Sequence, residues 1–507
     1  MDRRRSRDSG HDGQENESPG QFEVLLPPRT STHRRKASLV MADEPKSPDH
    51  PDEATACFVH SLIAGEGLTP ARIANFRISK DKSKIEADIV NEPSEHDIAI
   101  EEEDKEDNGK ETDANKFSKD LNSPPTEVES RHLTKKQLSD MAWNVRNLSK
   151  KLDNIRLKLK VKTIFLVTKA GDESVIDSTR EVTGWLLSED RETKYEVYIE
   201  KKLQVDPEFD YEELLKKEPG AKDRLKFWDT KLATEQGHRF DFVVTLGGDG
   251  TVLYTSWLFQ HVVPPVLSFS LGSLGFLTKF DFNDYQNILS SAMQDGVLVS
   301  LRLRFECTIM RSNPDKRETP ASKKQRDLVE ELIGDETDGT LSHRPDGAVH
   351  ILNDLVVDRG PNPTMSSIEL FGGDEHFTTL QADGVCISTP TGSTAYNMAA
   401  GGSLSHPDNP VILITAICAH TLSFRPIILP DTVVLRVGVP YDARTSSWAS
   451  FDGRQRVELL PGDYVTVSAS RYPFANVLPP GRRGDDWMHS LSKTLNWNTR
   501  SKQKAMQ

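Results

Sequence analysis

Between Thr245 and Tyr254 the chain reads TLGGDGTVLY, a lone aspartate among glycines, after one apolar run and before another. These flanks fit the end of a strand and the start of a helix. In an open α/β sheet, ligands bind at the carboxyl ends of strands. Glycines let a ligand reach backbone N–H groups, and at a helix N-terminus such groups favour an anion such as phosphate. Asp249 alone repels phosphate. It makes sense as the acceptor of a proton from a hydroxyl, or with a metal ion between, and both are roles in phosphoryl transfer. This turn carries neither a G-x-x-x-x-G-K-[ST] loop nor a G-x-G-x-x-G fingerprint, which removes two standard nucleotide sites. A tight turn with a solvated carboxylate is the alternative that spacing leaves open.

Two further stretches bear on the same chemistry. Ala382–Pro407 reads ADGVCISTPTGSTAYNMAAGGSLSHP, with hydroxyls, flexible backbone and the start of a short helix. Tyr396 is able to stack on a flat ring there, and Asp383 is an isolated carboxylate of the kind that ribose hydroxyls use. In VHILNDLVV the polar pair Asn353–Asp354 interrupts an apolar run that reads as one strand. Buried polar groups need partners, and either a structural network or a nucleoside would supply them.

The elements that must hold these residues alternate in type. TIFLVTK, YEVYIE, DFVVTL and PVLSFS have the pattern of buried strands, and DESVIDSTREVTGWLLSE that of an amphipathic helix. Alternation of this kind predicts an α/β domain with a parallel sheet over residues 131–300. Within it, Leu138, Met141, Val145, Leu148, Leu152 and Ile155 recur at helical spacing after a capping-box pair, Thr134 and Gln137. Residues 301–480 carry short alternating segments and predict a largely antiparallel β domain, with an exposed insertion at 311–346. Residues 481–507 read as a loose tail. The charged stretch 1–130, rich in Ser, Pro, Asp, Glu and Arg, is too polar to offset its ordering entropy and reads as disordered. Inside it, ACFVHSLIA at 56–64 is a candidate docking segment, and Arg34 and Arg35 upstream make Ser38 a candidate site for a basophilic regulatory kinase.

The formal charge of the 507-residue chain is −14, which argues against a nucleic-acid partner. No apolar run reaches membrane-spanning length. Cys57, Cys307, Cys386 and Cys418 are far apart and form no Cys-x-x-Cys pair, so a reducing compartment is expected. The start mixes arginines with acids and lacks an apolar stretch, so neither a transit nor a signal peptide is expected and the cytosol is the predicted location.

GGDGT (247–251), LGSLGF (271–276), LNDLVVDRG (352–360), DG (383–384), TPTGSTAY (389–396) and FDGR (451–454) occur in the order of one family, and the chain resembles the NAD kinases over 163–475. The first motif is shared with diacylglycerol-type lipid kinases and phosphofructokinases; TPTGSTAY is more specific. The long charged tail is similar to that of eukaryotic, in particular fungal, members. The resemblance implies transfer of the γ-phosphate of ATP to the 2′-hydroxyl of the adenosine ribose of NAD, with Mg²⁺ or another divalent ion, in a homo-oligomer. It implies Asp249 as proton acceptor and nucleotide contacts at Gly248, Gly250, Phe276, Asn353, Asp354, Asp383, Thr394, Ala395, Tyr396 and Asp452. It assigns no protein metal ligand. Many relatives have Glu where this chain has Asp354, a shorter arm with the same charge. Arg359, Arg425 and Arg454 are candidates to offset phosphate charge. A lipid kinase and a non-catalytic nucleotide sensor are the rivals; TPTGSTAYNMAAGG argues against the first and the presence of Asp249 against the second.

Overall fold

TIFLVT, FVVTL and VLSFS are buried at every residue, as strands are when helices cover both faces of a parallel sheet. The computed structural model describes residues 87–90 and 135–497 apart from 153–155, 170–171, 173, 262, 273, 314–325, 334–341, 422 and 481–484. Its first sheet runs Leu225–Trp228, Glu196–Glu200, Thr163–Thr168, Phe242–Leu246 and Val266–Ser270, all parallel. Ile164 and Leu166 pack on one face with Val182 and Leu186 of the helix Ser174–Leu187. Phe165 and Val167 pack on the other with Val252 and Leu258 of the helix Asp249–Leu258. This alternation is the period of two along a strand. Asp241 pins the sheet centre: its carboxylate accepts the Lys162 and Thr163 N–H groups at 2.8 Å each and the Thr163 hydroxyl at 2.9 Å.

The second half is a pair of six-stranded antiparallel sheets. One is ordered His343–Ile351, Phe305–Ser312, Tyr464–Ala469, Leu435–Gly438, Ser366–Gly372, Glu375–Ala382. The other is ordered Ile427–Pro430, Val411–Ile417, Gly384–Ser388, Asp354–Asp358, Ser447–Phe451, Gln455–Leu459. Phe305, Cys307 and Ile309 from the first meet Leu355, Val385 and Ile414 from the second in one apolar core. The α/β and antiparallel β halves follow the sequence expectation.

Several expectations are corrected. VHILNDLVV is not one strand. It splits into His343–Ile351 in one sheet and Asp354–Asp358 in the other, so Asn353 stands at the corner where the chain changes sheets and Asp354 begins the next strand. The boundary at 300/301 falls inside the strand Leu298–Arg302; the return of Phe474–Leu478 to the first sheet, between Val266–Ser270 and Leu298–Arg302, is what the family resemblance implies. The segment 311–346 is not all insertion: the helix Leu328–Ile333 buries Leu328 and Leu332 against Met310, Phe371 and Tyr464. Within the supposed tails, Ala87–Val90 pairs with Arg156–Leu159, and Asp485–Thr494 is a helix that buries Leu491. Their local polarity hid short segments that a neighbour completes. Ser38, Cys57 and residues 56–64 lie outside the described residues. No helix among the described residues is long and apolar enough to cross a membrane.

Candidate active site

The glycine turn follows the strand Phe242–Leu246 and opens the helix Asp249–Leu258, whose N-cap is Gly248 with no side-chain cap. The Thr251 N–H donates to the Gly248 carbonyl at 2.9 Å, and the amides of Asp249 and Gly250 before it are left to a ligand or to water. A Cβ on Gly248 or Gly250 would meet no atom of the chain within 4 Å, so the space before them is open. Gly247 differs. Its φ is +152° and a Cβ there would strike the Thr251 hydroxyl. Asp249 occupies the first helical position, with its carboxylate on the loop after the strand Val266–Ser270. Oδ2 accepts the Phe276 N–H at 2.9 Å. Oδ1 accepts the Leu277 N–H at 3.0 Å, the Thr278 N–H at 3.1 Å and the Thr278 hydroxyl at 3.2 Å. A Cβ on Gly275 would collide with that carboxylate.

The Asn353–Asp354 corner is built from three separate motifs. FDGR is a hairpin tip in which Asp452 and Gly453 have φ of +48° and +66°, as an Asp-Gly hairpin turn requires. The Asp452 carboxylate accepts the N–H groups of Leu352, Asn353 and Asp354 at 2.8, 2.8 and 3.0 Å. From the other side, the Thr389 N–H donates to the Asn353 carbonyl at 2.9 Å, and the Thr389 hydroxyl to the Leu352 carbonyl at 2.5 Å. A Cβ on Gly392 would strike the Asn353 carbonyl oxygen. This interlock leaves the buried Asn353 Oδ1 without a partner. The buried Asp354 carboxyl is pushed up to about 7, mainly by loss of water and further by the Asp452 charge. Burial also raises Asp452, against the pull of its three amide donors.

Arg454 joins the corner to the glycine turn. Its guanidinium donates to the Gly250 carbonyl at 3.0 Å and lies 4.6 Å from the centre of the Tyr254 ring. The structure thus brings Gly248, Asp249, Gly250 and Phe276 together with Asn353, Asp354 and Asp452. Thr394 and Ala395 close the tight turn Thr391–Thr394, and Tyr396 opens the short helix after it, 44% exposed. The Tyr396 phenol is raised by partial burial first and then by acidic neighbours that include Asp358 and Asp354. Asp383 is set apart from Asp354. The pairing of Asp354 with Ser388 and of Asp358 with Gly384 puts it past the far end of that strand, opposite Arg359 and about 16 Å away at ~3.3 Å per residue. Its carboxylate is paired with Arg359 at 3.0 Å, and Arg425 donates to the Phe424 carbonyl at 2.8 Å.

Motif reading missed three residues. Gly275 is required by a carboxylate distant in sequence. Lys169 starts against Gly247, with its Nζ 2.8 Å from Asp172; its only sequence signal is its place at the end of the neighbouring parallel strand. Asn397 had been read as part of a helix start. It is fully buried and braces the turn, donating to the Ser393 and Ser403 carbonyls and accepting from Thr415. Among the described residues no three His, Cys, Asp or Glu side chains gather as a metal cage. The open N-terminus with one carboxylate fits a divalent ion that brings its other ligands with a phosphate chain, as Mg²⁺ commonly does.

A family profile for the ATP-NAD kinase N-terminal domain matches residues 164–297, and one for the ATP-NAD kinase C-terminal domain matches residues 352–478. An uncharacterized kinase of Schizosaccharomyces pombe is 45% identical over 361 residues, 71% of this chain and 86% of that one. An NAD(+) kinase of Saccharomyces cerevisiae is 42% identical over 369 residues, 73% and 66% of the two chains. An ATP-NADH kinase of the same yeast is 39% identical over 365 residues, 72% and 70%. The crystal structure of a yeast NADH kinase complexed with NADH superposes with a TM-score of 0.52 at 27% identity, covering 69% of this chain and 93% of that one.

Proposed function

The chain belongs to the NAD kinase family and is an enzyme that phosphorylates NAD with ATP, and from that premise we propose that Asp249 accepts the proton of the 2′-hydroxyl of the adenosine ribose as the γ-phosphate is transferred to it. The observation that carries this is the Arg454 bridge: one guanidinium from the hairpin beside Asn353 and Asp354 reaches the Gly250 carbonyl. A nucleoside held at the corner then lies against the glycine turn, with a single carboxylate between. Asn353 Oδ1, buried and unpartnered, is the acceptor for a base amino group. Tyr396 stacks on a ring, and Asp383, held by Arg359, takes hydroxyls at the far end of a long dinucleotide. Gly248, Gly250 and the open helix end receive phosphate, with Lys169 near by. Phe276, Thr394 and Ala395 line the same cleft.

The two oxygens of Asp249 are not equivalent. Oδ1 already accepts three donors, whereas Oδ2 accepts only the Phe276 N–H. A carboxylate oxygen has about two lone-pair sites, so Oδ2 is the atom that takes the proton. A divalent ion carried on the ATP phosphates would supply charge neutralisation at the transferred group. The loop amides hold Asp249 still while the proton moves, which limits reorganisation. We further place the enzyme in the cytosol as a homo-oligomer, with Ser38 as a regulatory phosphorylation site; the supports are composition for the compartment, the family resemblance for the assembly and the arginines before Ser38 for the modification.

The test is NADP(H) formation by purified protein with ATP and Mg²⁺, with NAD and NADH compared as acceptors. Asp249→Asn is expected to lower kcat by about 10²–10⁴ and to leave the KM of NAD within a few-fold. Undiminished turnover in Asp249→Asn would remove the base role. A folded parent that makes no NADP(H) would contradict the activity itself.

A further inference from the structure

Arg304 has no solvent exposure, and it lies far from the glycine turn in sequence. It stands in the two-residue link between Leu298–Arg302 of the α/β sheet and Phe305–Ser312 of the β-sandwich. Its Nε donates to the Tyr472 carbonyl at 2.5 Å, and Tyr472 lies in the link by which the chain returns from Tyr464–Ala469 to Phe474–Leu478. Its other two nitrogens turn to the end of the helix that begins with Asp249. Nη1 donates to the Ser256 and Phe259 carbonyls at 3.3 and 2.9 Å, and Nη2 to the Gln260 carbonyl at 2.8 Å. One planar cation therefore ties both crossings between the halves to the C-terminus of the catalytic helix. That is the helix end at which a positive charge is favourable.

The same helix is held to the sandwich at two more points. The Gln260 side chain donates to the His350 carbonyl at 3.1 Å and accepts the His350 N–H at 2.8 Å. At the other end Arg454 holds the Gly250 carbonyl. The helix is ten residues long, about 15 Å at ~1.5 Å per residue. Asp249 sits at one end of this rod and Arg304 at the other. Asn353 and Asp354, the other side of the cleft, belong to the sandwich.

We propose that Arg304 is a positioning residue for phosphoryl transfer: by fixing the C-terminus of the helix to the inter-half crossings, it sets where Asp249 stands relative to the acceptor nucleoside at the Asn353–Asp354 corner. The inference rests on the reading of Asp249 as the proton acceptor. A small misplacement of a reacting group is enough to slow a reaction by about 10²-fold, while nucleotide contacts made by the sandwich alone are untouched. The defect should therefore fall on kcat and not on KM for NAD.

The experiment compares Arg304→Lys, Gln260→Leu and Asp249→Asn in the full-length enzyme, with kcat, KM and Tm measured for each. Lysine keeps the charge but cannot span carbonyls on two sides. Gln260→Leu loosens the same helix end without removing a buried charge, so it serves if Arg304→Lys fails to fold. The expected result is a 10-fold or greater fall in kcat for the anchor variants, KM for NAD within about 3-fold, assayed well below each Tm. Folded anchor variants with parental kcat and only a lowered Tm would overturn the proposal and leave Arg304 a stability residue. If Asp249→Asn itself keeps parental kcat, the base reading fails and this inference with it. That pattern is distinct from loss of activity in Asp249→Asn with full activity in the anchor variants, which sinks the inference alone.

Discussion

At the residue scale, two aspartates of the site do opposite work. Asp452 spends its carboxylate on three backbone amides and shapes the corner. Asp354 begins the next strand, 7% exposed, with its carboxyl raised to about 7. The sign of its effect on stability follows. The folded protein keeps a proton that the unfolded chain releases near its ordinary value of 3.8. Stability from this group therefore falls as pH rises from about 4 to about 7 and is lowest above that. Asp354→Asn removes the loss, so its Tm relative to the parent should be a few degrees better at about pH 8 than at about pH 5. Equal differences at both pH values would show that the carboxyl is not raised. The sequence flagged both aspartates as site residues. It did not show that one is a scaffold for the other, because Asp452 reaches its amides about a hundred positions away.

At the element scale, the parallel strands were legible because each is an unbroken apolar run. The corner at Asn353 was not, because apolar residues flank the polar pair on both sides and the groups that hold the corner, Asp452 and Thr389, lie far along the chain. Asp241 shows how one buried carboxylate sets an element's register. Asp241→Ala strands the Lys162 and Thr163 amides, at a cost on the order of 3 kcal/mol at ~1–3 kcal/mol per unsatisfied buried donor. Denaturant unfolding should show that loss with KM for both substrates unchanged. A change in KM without loss of stability would place Asp241 in the site instead. The helix Leu328–Ile333 was missed within a charged segment, since a one-turn amphipathic pattern has no weight until Met310 and Tyr464 supply a surface for it.

At the scale of the whole molecule, the α/β sheet is completed by the strand Phe474–Leu478, which makes antiparallel bonds to Leu298–Arg302 along its length and touches Val266 through Asn476. The α/β sheet is therefore completed only after the chain has passed through the sandwich. A chain ended after Ser470 should lose cooperative unfolding in the α/β half as well as activity, by circular dichroism and calorimetry. A fully folded α/β half in that truncation would show the return strand to be dispensable. The family resemblance implies this return, but the hydrophobic pattern alone does not show it, for a topological reason. Hydrophobic pattern marks a strand but carries no information on which sheet will take it, and pairing across more than 170 positions leaves no local trace.

The sequence by itself determined the class of each half, the glycine turn with its one carboxylate, and the motifs whose resemblance pointed to NAD phosphorylation. These depend on local preference and on residue type, which are present before the chain folds. Tertiary structure alone decided that Asp249 keeps Oδ2 with a site free, that Gly275 must be glycine, that Asn353 stands at a corner, and that Arg304 grips the far end of the catalytic helix. Each of these is a contact between segments distant in sequence, and which segments meet is set by how the whole core packs.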